Sequence, residues 1–175
     1  TIPNFHNTPK RLEALKRAVE QNKAGRAKSV QEEIDFILSR ESKAGKIQHM
    51  LETGEIPLRV THNDTKLNNV LIDDDTDEAI CVIDLDTVMP GTSVIDFGDA
   101  VRFGASTGAE DEPDLSKVSL DLNLYELFTK GFVGEVTGFL TETEIDSLPL
   151  GAYTVTLELA SRFLADYLDG DLYFK

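Results

Sequence analysis

The segment RVTHNDTKLNNVLID, residues 59–73, places unlike polar side chains between two short apolar runs. Within it, Asp64 lies two positions after His62 and five before Asn69. Asp84 follows twenty residues after Asp64, at the end of another apolar run. One carboxylate can accept the proton of an attacking hydroxyl, while an amide oxygen and a second carboxylate can hold Mg²⁺ against nucleotide phosphates. These residue types in this order therefore indicate phosphoryl transfer from ATP.

Three motifs resemble parts of the kinase-like fold. HNDTKLNN is similar to the H-x-D-x-x-x-x-N catalytic loop in the form used by aminoglycoside phosphotransferases, choline kinases and related small-molecule kinases. VIDLD resembles the magnesium-binding strand end of these enzymes, and DTVMPGTSVIDFGDAVR continues the match. As a whole, residues 59–103 look most like bacterial N-acetylhexosamine 1-kinases. Together the motifs are specific, whereas a single H-x-D would be weak.

The resemblance implies a role for each polar residue of the motifs. It makes Asp64 the catalytic base and Asp84 the main magnesium ligand. Asn69 would be a second magnesium ligand and Asp86 an auxiliary one. Lys66 would face the nucleotide phosphates. His62 is expected to support the loop through hydrogen bonds and to take no part in the chemistry.

The resemblance also predicts what the chain is. Nothing before residue 57 has the strands, the glycine-rich turn or the phosphate-pairing lysine of a kinase N-terminal lobe. We therefore expect residues 1–175 to be a fragment, the C-terminal lobe of a protein-kinase-like fold, with the C-terminus truncated as well. The expected activity is ATP- and Mg²⁺-dependent phosphorylation of a small-molecule hydroxyl. The acceptor would be the anomeric hydroxyl of an N-acetylhexosamine, or the hydroxyl of an amino alcohol. Alone, the chain should be inactive, and its cut face should favour self-association.

Helical periodicity flanks the motifs on both sides. Thr8, read as a cap, and Pro9 predict the start of a first helix that ends by Gly25. A capping box of Ser29 and Glu32 predicts a second helix that continues to Gly54. After the motifs, apolar residues recur on one face of a predicted helix that includes Leu124, Leu127, Phe128 and Phe132. Thr141 and Glu144 predict a capping box for a long last helix.

Short apolar runs separated by polar clusters predict strands around the motifs. Residues 69–73 and 79–84 should pair as a hairpin that returns Asp84 to the vicinity of Asn69. A helix should then begin at Thr92 or Ser93, and residues 104–115 should form a mobile loop. The predicted fold class is α+β and mainly helical, with a small strand-and-loop insert that carries the site.

Composition excludes several classes of protein. The chain has 41% hydrophobic and 28% charged residues, as expected for a globular domain. Its net charge of −15 argues against nucleic acid and anionic membranes as partners and favours a metal cation. No apolar run approaches the length of a membrane span. Cys81, inside the apolar run AICVID, is predicted to be a buried free thiol in the cytoplasm.

Other interpretations of the same residues stay open. The central cluster could be a polar hairpin whose Asp and Asn side chains only cap turns. Asp73, Asp75 and Asp77 match a calcium loop in part, but the glycine and glutamate such a loop needs are absent. Asp96 and Asp99 have structural roles or contact a substrate. His6 and His49 are expected at the surface or between helices, and Arg102 is expected in a salt bridge. The chain could also be a binding or scaffold domain without turnover.

Overall fold

The computed structural model describes residues 2–110 and 112–174, and it is mainly helical with small antiparallel sheets. The elements follow one another in the order α1 (Thr8–Gln21), α2 (Gln31–Leu38), α3 (Glu41–Ala44), α4 (Lys46–Thr53), β1 (Arg59–Thr61), β2 (Val70–Ile72), β3 (Ala79–Val82), β4 (Met89–Gly91), α5 (Ser93–Gly104), α6 (Leu122–Val136) and α7 (Glu142–Asp169). Short 3₁₀ turns cover Ala27–Val30, Leu67–Asn69, Leu85–Thr87 and Leu115–Lys117. No helix within the described ranges combines the length and apolarity needed to cross a membrane.

The strands form two separate antiparallel pairs. β1 pairs with β4, so that Thr61 lies opposite Met89. β2 pairs with β3, so that Val70 lies opposite Val82, and the register shifts after Leu71. The predicted hairpin is therefore confirmed. β1 ends immediately before residues 62–64, and β3 ends two residues before residue 84. Each strand pair therefore leads into one of the motifs.

The long helix α7 organises the hydrophobic core. Its C-terminal half packs on α1, α2 and α3, and its middle packs on α4 and α5. Gly98 of α5 and Gly151 of α7 lie at the crossing of these two helices, where a Cβ on either residue would overlap with backbone of the other helix. Glycine at both positions lets α5 approach α7 closely, and α5 carries the residues that hold the central loop.

Several predicted helix boundaries are confirmed. Thr92 caps α5 by accepting a hydrogen bond from the N–H of Val94. Thr141 and Glu144 form the predicted capping box at the start of α7. In both cases a side-chain oxygen satisfies backbone N–H groups that the first helical turn leaves unpaired.

The N-terminal boundaries need two corrections. Asn7, and not Thr8, caps α1, because the Asn7 side chain accepts the N–H of Lys10. The predicted capping box of Ser29 and Glu32 is wrong. Residues 27–30 form a 3₁₀ turn, and no side chain caps α2. The predicted second helix is instead three short helices, α2 to α4.

The predicted burial of Cys81 is also wrong, since its side chain is exposed on β3. The neighbouring Ile80 and Val82 are 64% and 53% exposed. The apolar run therefore forms a strand, as its composition indicates, but in the described part of the chain no second layer covers that strand. Of the predicted loop at 104–115, residue 111 lies outside the described residues, and the mobility of the loop stays a prediction.

Candidate active site

The loop after β1 carries the first motif and is held by α5. The Asp96 carboxylate accepts the N–H of His62 through Oδ2 at 2.9 Å and the N–H of Asn63 through Oδ1 at 2.8 Å. The Thr65 hydroxyl donates to the backbone carbonyl of Asp96. Burial raises the pKa of Asp96, and the two backbone hydrogen bonds oppose that rise. Of the two roles left open for Asp96, the structural one is observed, because its carboxylate fixes the backbone beside Asp64.

Asn63 bends the chain immediately before Asp64. Its φ of 66° is left-handed, a conformation that asparagine adopts more readily than most residues. The Asn63 Nδ2 atom donates to the carbonyls of Thr61 at 3.1 Å, Thr87 at 3.0 Å and Met89 at 3.3 Å. Gly91 leaves room for this network, because a Cβ at Gly91 would overlap with the Thr61 and Asn63 side chains. The turn before Asp64 is thus fixed on all sides by polar contacts.

Asp64, Asn69 and Lys66 meet at the end of this loop. The Asn69 Nδ2 atom donates to the Asp64 carbonyl at 2.8 Å and to Asp64 Oδ2 at 3.1 Å. Lys66 Nζ lies 3.6 Å from Asp64 Oδ2. The Asp64 side chain is 27% exposed, so it remains accessible to a ligand while Asn69 orients it.

The second motif joins the first through Ile83. The N–H of Ile83 donates to the Asn69 carbonyl at 2.9 Å. The Ile83 carbonyl lies 2.9 Å from Nε2 of His62, whose Nδ1 lies 3.3 Å from the N–H of Asp64. One neutral tautomer, with the proton on Nε2, satisfies both contacts of the ring. His62 therefore supports the loop, as predicted.

Asp84 follows Ile83 in a left-handed conformation, with φ 60° and ψ 54°. A hydrogen bond and charge repulsion between its carboxyl group and that of Asp86 raise the pKa of Asp84. The negative charge of Asp64 acts in the same direction, and Lys66 opposes it. Acidic side chains that disfavour each other's ionisation in this way are typical of a site for a cation.

The chemistry of these donors fits Mg²⁺. Asn69 uses its amide nitrogen on Asp64, and its Oδ1 accepts no hydrogen bond from the described residues. Asp84 and Asp86 add exposed carboxylate oxygens. Among the described residues, no three His, Cys, Asp or Glu side chains are close enough to hold a metal by themselves. Such a donor set suits Mg²⁺, which keeps water and phosphate oxygens among its ligands.

The acidic turn of the β2–β3 hairpin is a separate feature. Asp73 Oδ1 accepts the N–H groups of Asp75 and Thr76 and the Thr76 hydroxyl. The hydrogen bonds from Asp75 and Thr76 lower the pKa of Asp73. These contacts are those of a capped turn.

A cavity of about 480 Å³ adjoins the two motifs. The predicted site residues that line it together are Asp64, Lys66, Asp84 and Asp86. Arg102 and Arg162 line it as well. Arg102 pairs with Asp99 at 3.0 Å and with Glu110 at 2.9 Å, so its predicted salt bridge is confirmed.

Arg162 is the second guanidinium of this cavity. It has no salt bridge to a carboxylate in the described part of the chain and lies 5.6 Å from the centre of the Phe174 ring. The aromatic end of the chain forms this wall because backbone N–H groups of residues 172–174 donate to the Asp166 carboxylate. Phe174 then packs on Phe163 with ring centres 4.0 Å apart.

Sequence reasoning missed two contributors to this region, His6 and Arg162. His6 is not a free surface residue, since both of its ring nitrogens have polar partners within 2.9 Å. Those partners are 57 and 152 positions away in sequence, so no local spacing could indicate them. Arg162 lies in α7, and the apolar periodicity of that helix indicated only the residues of its apolar face.

A base-like carboxylate and a second carboxylate pair line one cavity, and the Asn69 amide is hydrogen-bonded to the first carboxylate. This arrangement is that expected of a phosphotransferase. The model of the phosphotransferase enzyme family, APH, matches residues 1–126, and the chain belongs to that family. The resemblance to aminoglycoside phosphotransferases and their relatives is thereby confirmed at the level of the family.

Proposed function

We propose that this chain is the C-terminal lobe of an ATP-dependent small-molecule kinase with a protein-kinase-like fold. The observation that carries the proposal is that Asp64 and Asp84 line the same cavity and that Asn69 is hydrogen-bonded to Asp64. By motif resemblance, the acceptor is the anomeric hydroxyl of an N-acetylhexosamine. The family match supports phosphoryl transfer as the chemistry.

In the proposed reaction, Asp64 orients the acceptor hydroxyl and takes its proton. The acceptor oxygen forms a bond to the γ-phosphorus of ATP, and the bond from that phosphorus to the bridging oxygen of ADP breaks. The products are the phosphorylated acceptor, ADP and a proton on Asp64, which passes to solvent. The hydrogen bond from Asn69 Nδ2 holds the Asp64 carboxylate in place for this transfer.

Asn69, Asp84 and Asp86 would hold Mg²⁺, which when bound neutralises charge on the transferring phosphoryl group. Lys66 is 31% exposed beside Asp64, and in this proposal its ammonium group attracts the γ-phosphate to the site. The cavity beyond Asp64 has room for a monosaccharide. Its wall of arginine and aromatic side chains offers hydrogen-bond donors and apolar faces, both of which sugars use.

The proposal requires a second lobe to cover the nucleotide. The β2–β3 hairpin and the turn after it expose six apolar side chains, Leu71, Ile72, Ile80, Val82, Leu85 and Val88. In this proposal the second lobe covers them. Such a surface favours burial against another protein surface. We expect the 175-residue chain alone to lack kinase activity and to self-associate through this surface. Light scattering over a range of concentrations measures the mass of the particles in solution, and a chain that stays monomeric would contradict the expected self-association.

The central test is Asp64→Asn in an enzyme that contains both lobes. Loss of the base should lower kcat at least about 100-fold, while the Kd for ATP stays nearly unchanged. Asp74→Asn, in the exposed hairpin turn, is the matched control and should leave kcat unchanged. Turnover of Asp64→Asn within a few-fold of the wild type would remove Asp64 from this role. Nucleotide binding by the wild type without turnover of any sugar or amino alcohol would favour a binding domain instead.

A further inference from the structure

His6 connects the N-terminal segment, helix α7 and the loop that carries Asp64. Its Nδ1 atom lies 2.9 Å from Glu158 Oε1 on α7, and its Nε2 atom lies 2.9 Å from the backbone carbonyl oxygen of Asn63. The ring also packs edge-on against Phe5, at 4.7 Å between centres. The imidazole is only 17% exposed, so its two nitrogens face protein groups more than solvent.

Both partners of the ring are hydrogen-bond acceptors. A carbonyl oxygen has no proton to give, and the second oxygen of Glu158 already accepts the hydroxyl of Thr8 at 2.7 Å. A neutral imidazole has one N–H and one lone pair, so it can satisfy one partner and must direct its lone pair at the oxygen of the other. Only the imidazolium, with a proton on each nitrogen, donates to both.

Charge around the ring favours the same form. Glu158 is 2% exposed, and His6 is its salt-bridge partner within the described residues. A carboxylate buried to this extent without a cation would be strongly destabilised. Other charged groups face the ring or share its cavity. Those that favour a cation are Asp64, Asp84, Asp86, Asp96, Asp99 and Glu110, and those that oppose one are Lys66, Arg102 and Arg162. Arg102 is itself paired with Asp99 and Glu110, so the acidic groups dominate.

These contacts act on the pKa of His6 in opposite directions. Burial lowers the pKa, whereas the hydrogen bond and charge of Glu158 and the carbonyl of Asn63 raise it, and the net pKa lies above the usual histidine value. The imidazolium is therefore favoured relative to an ordinary histidine, and the ring loses its proton as the pH rises through this raised pKa.

The carbonyl that His6 holds belongs to the peptide bond between Asn63 and Asp64. The N–H of this same peptide lies 3.3 Å from Nδ1 of His62. A change in ψ of Asn63, the dihedral that sets the direction of this carbonyl, would displace the Asp64 Cα atom and its carboxylate. Since Asn63 is left-handed, the orientation of the plane depends on such external contacts.

We propose that His6, as an imidazolium bound to Glu158, is a positioning residue that fixes the Asn63–Asp64 peptide, so that its deprotonation releases Asp64 from its catalytic position. The inference rests on the proposed role of Asp64 as the base. It predicts that turnover declines at alkaline pH with the midpoint of the His6 titration, while the affinity for ATP does not.

The first part of the test uses the chain itself and needs no activity. Long-range ¹H–¹⁵N NMR spectra of the three histidines should show protons on both ring nitrogens of His6 at pH 7. The His6 midpoint should lie above the usual histidine value, and the amide signal of Asp64 should shift with the same midpoint. His6→Gln identifies the resonance, and His49→Gln is the control. A His6 ring with one proton at pH 6, or an Asp64 amide that ignores the titration, would overturn the proposal.

The second part measures kcat against pH in the two-lobed enzyme. Glu158→Gln keeps the shape of the partner but removes its charge, so the alkaline decline in kcat should begin at lower pH while kcat at pH 6 remains near wild type. His6→Gln should lower kcat about 10-fold or more at neutral pH and abolish the decline. If the decline of kcat at alkaline pH were unchanged in both variants, the positioning role would be refuted. Because Glu158→Gln keeps the packing of residue 158, this variant still tests the proposal if His6→Gln misfolds. If neither the wild type nor any variant phosphorylates an acceptor, the proposed function fails. The NMR result still tests the coupling of His6 to the Asp64 backbone.

Discussion

The contact between Asp96 and the loop before Asp64 gives a prediction that can be tested on the chain alone. The substitution Asp96→Asn keeps the size of the side chain and replaces one carboxylate oxygen by an NH₂ group. The carboxylate now accepts two backbone N–H groups, of His62 at 2.9 Å and of Asn63 at 2.8 Å. In the variant, one of these N–H groups keeps a neutral acceptor and the other faces a second donor.

The size of the effect follows from these two bonds. A hydrogen bond to an ionised group contributes about 1.5–3 kcal/mol, and one between neutral groups about 0.5–1.5 kcal/mol. Losing one bond and weakening the other should therefore destabilise the fold by about 2–4 kcal/mol. Burial disfavours the carboxylate, as the raised pKa of Asp96 indicates, and the neutral amide avoids that cost. We therefore expect the lower half of this range, about 2–3 kcal/mol.

Urea unfolding followed by circular dichroism measures this difference. Asp146→Asn is a suitable control, because Asp146 lies near the start of α7 but is exposed and has no hydrogen bond or ion pair within the described ranges. The control should change the free energy of unfolding by less than about 0.5 kcal/mol. An equally small change for Asp96→Asn would show that the carboxylate does not hold the loop. In the two-lobed enzyme the same variant should lose about 100-fold in kcat, because a small displacement of Asp64 is sufficient for such a loss.

Two further predictions concern the metal site and a buried ion pair. Asp84→Ala should abolish Mg²⁺-dependent binding of ATP in calorimetry on the two-lobed enzyme, and unchanged binding would exclude Asp84 as the main ligand. Arg59→Ala should destabilise the chain by about 3–5 kcal/mol at pH 7, because it leaves Glu144 buried without the guanidinium that now lies 2.6 Å away. Burial alone would raise the pKa of Glu144, but Arg59 and Thr141 together lower it, so the stabilisation is complete above the ordinary carboxyl pKa and is lost as the pH falls through the lowered one. Urea unfolding at pH 7 and at pH 4 should therefore show a smaller difference at pH 4, and a difference independent of pH would contradict this account.

Local signals in the sequence predicted local structure well. The hairpin, the start of α5 at Thr92 and the capping box of Thr141 and Glu144 depend on residues close in sequence, and all three are confirmed. Asp64, Lys66, Asp84 and Asp86, which the motifs singled out, line one cavity, whereas Asn69 does not line it, and the roles assigned to these residues stay predictions. In each case the residues that define the feature lie within one or two adjacent elements.

Features that depend on distant partners were missed or mispredicted. His6 gave no local signal, because its acceptors come from the loop after β1 and from α7. Cys81 was predicted to be buried from the apolar run around it, yet burial also requires a second layer, which local sequence does not report. The role of Asp96 was left open because a carboxylate in the first turn of a helix is favoured there whatever it contacts.

The geometry of the candidate site depends on two left-handed residues and on the contacts that hold them. Asn63 and Asp84 are both left-handed, and such backbone conformations persist only where surrounding contacts impose them. Asp96 and His6 hold the backbone of Asn63 in its conformation. The hydrogen bonds of the Ile83 backbone join Asp84, the next residue, to the loop that carries Asn69 and His62. Since Ile83 links the two halves of the site through its backbone, a change in either half must displace the other. Substitutions that loosen α5 or α7 should therefore reduce turnover before they unfold the chain.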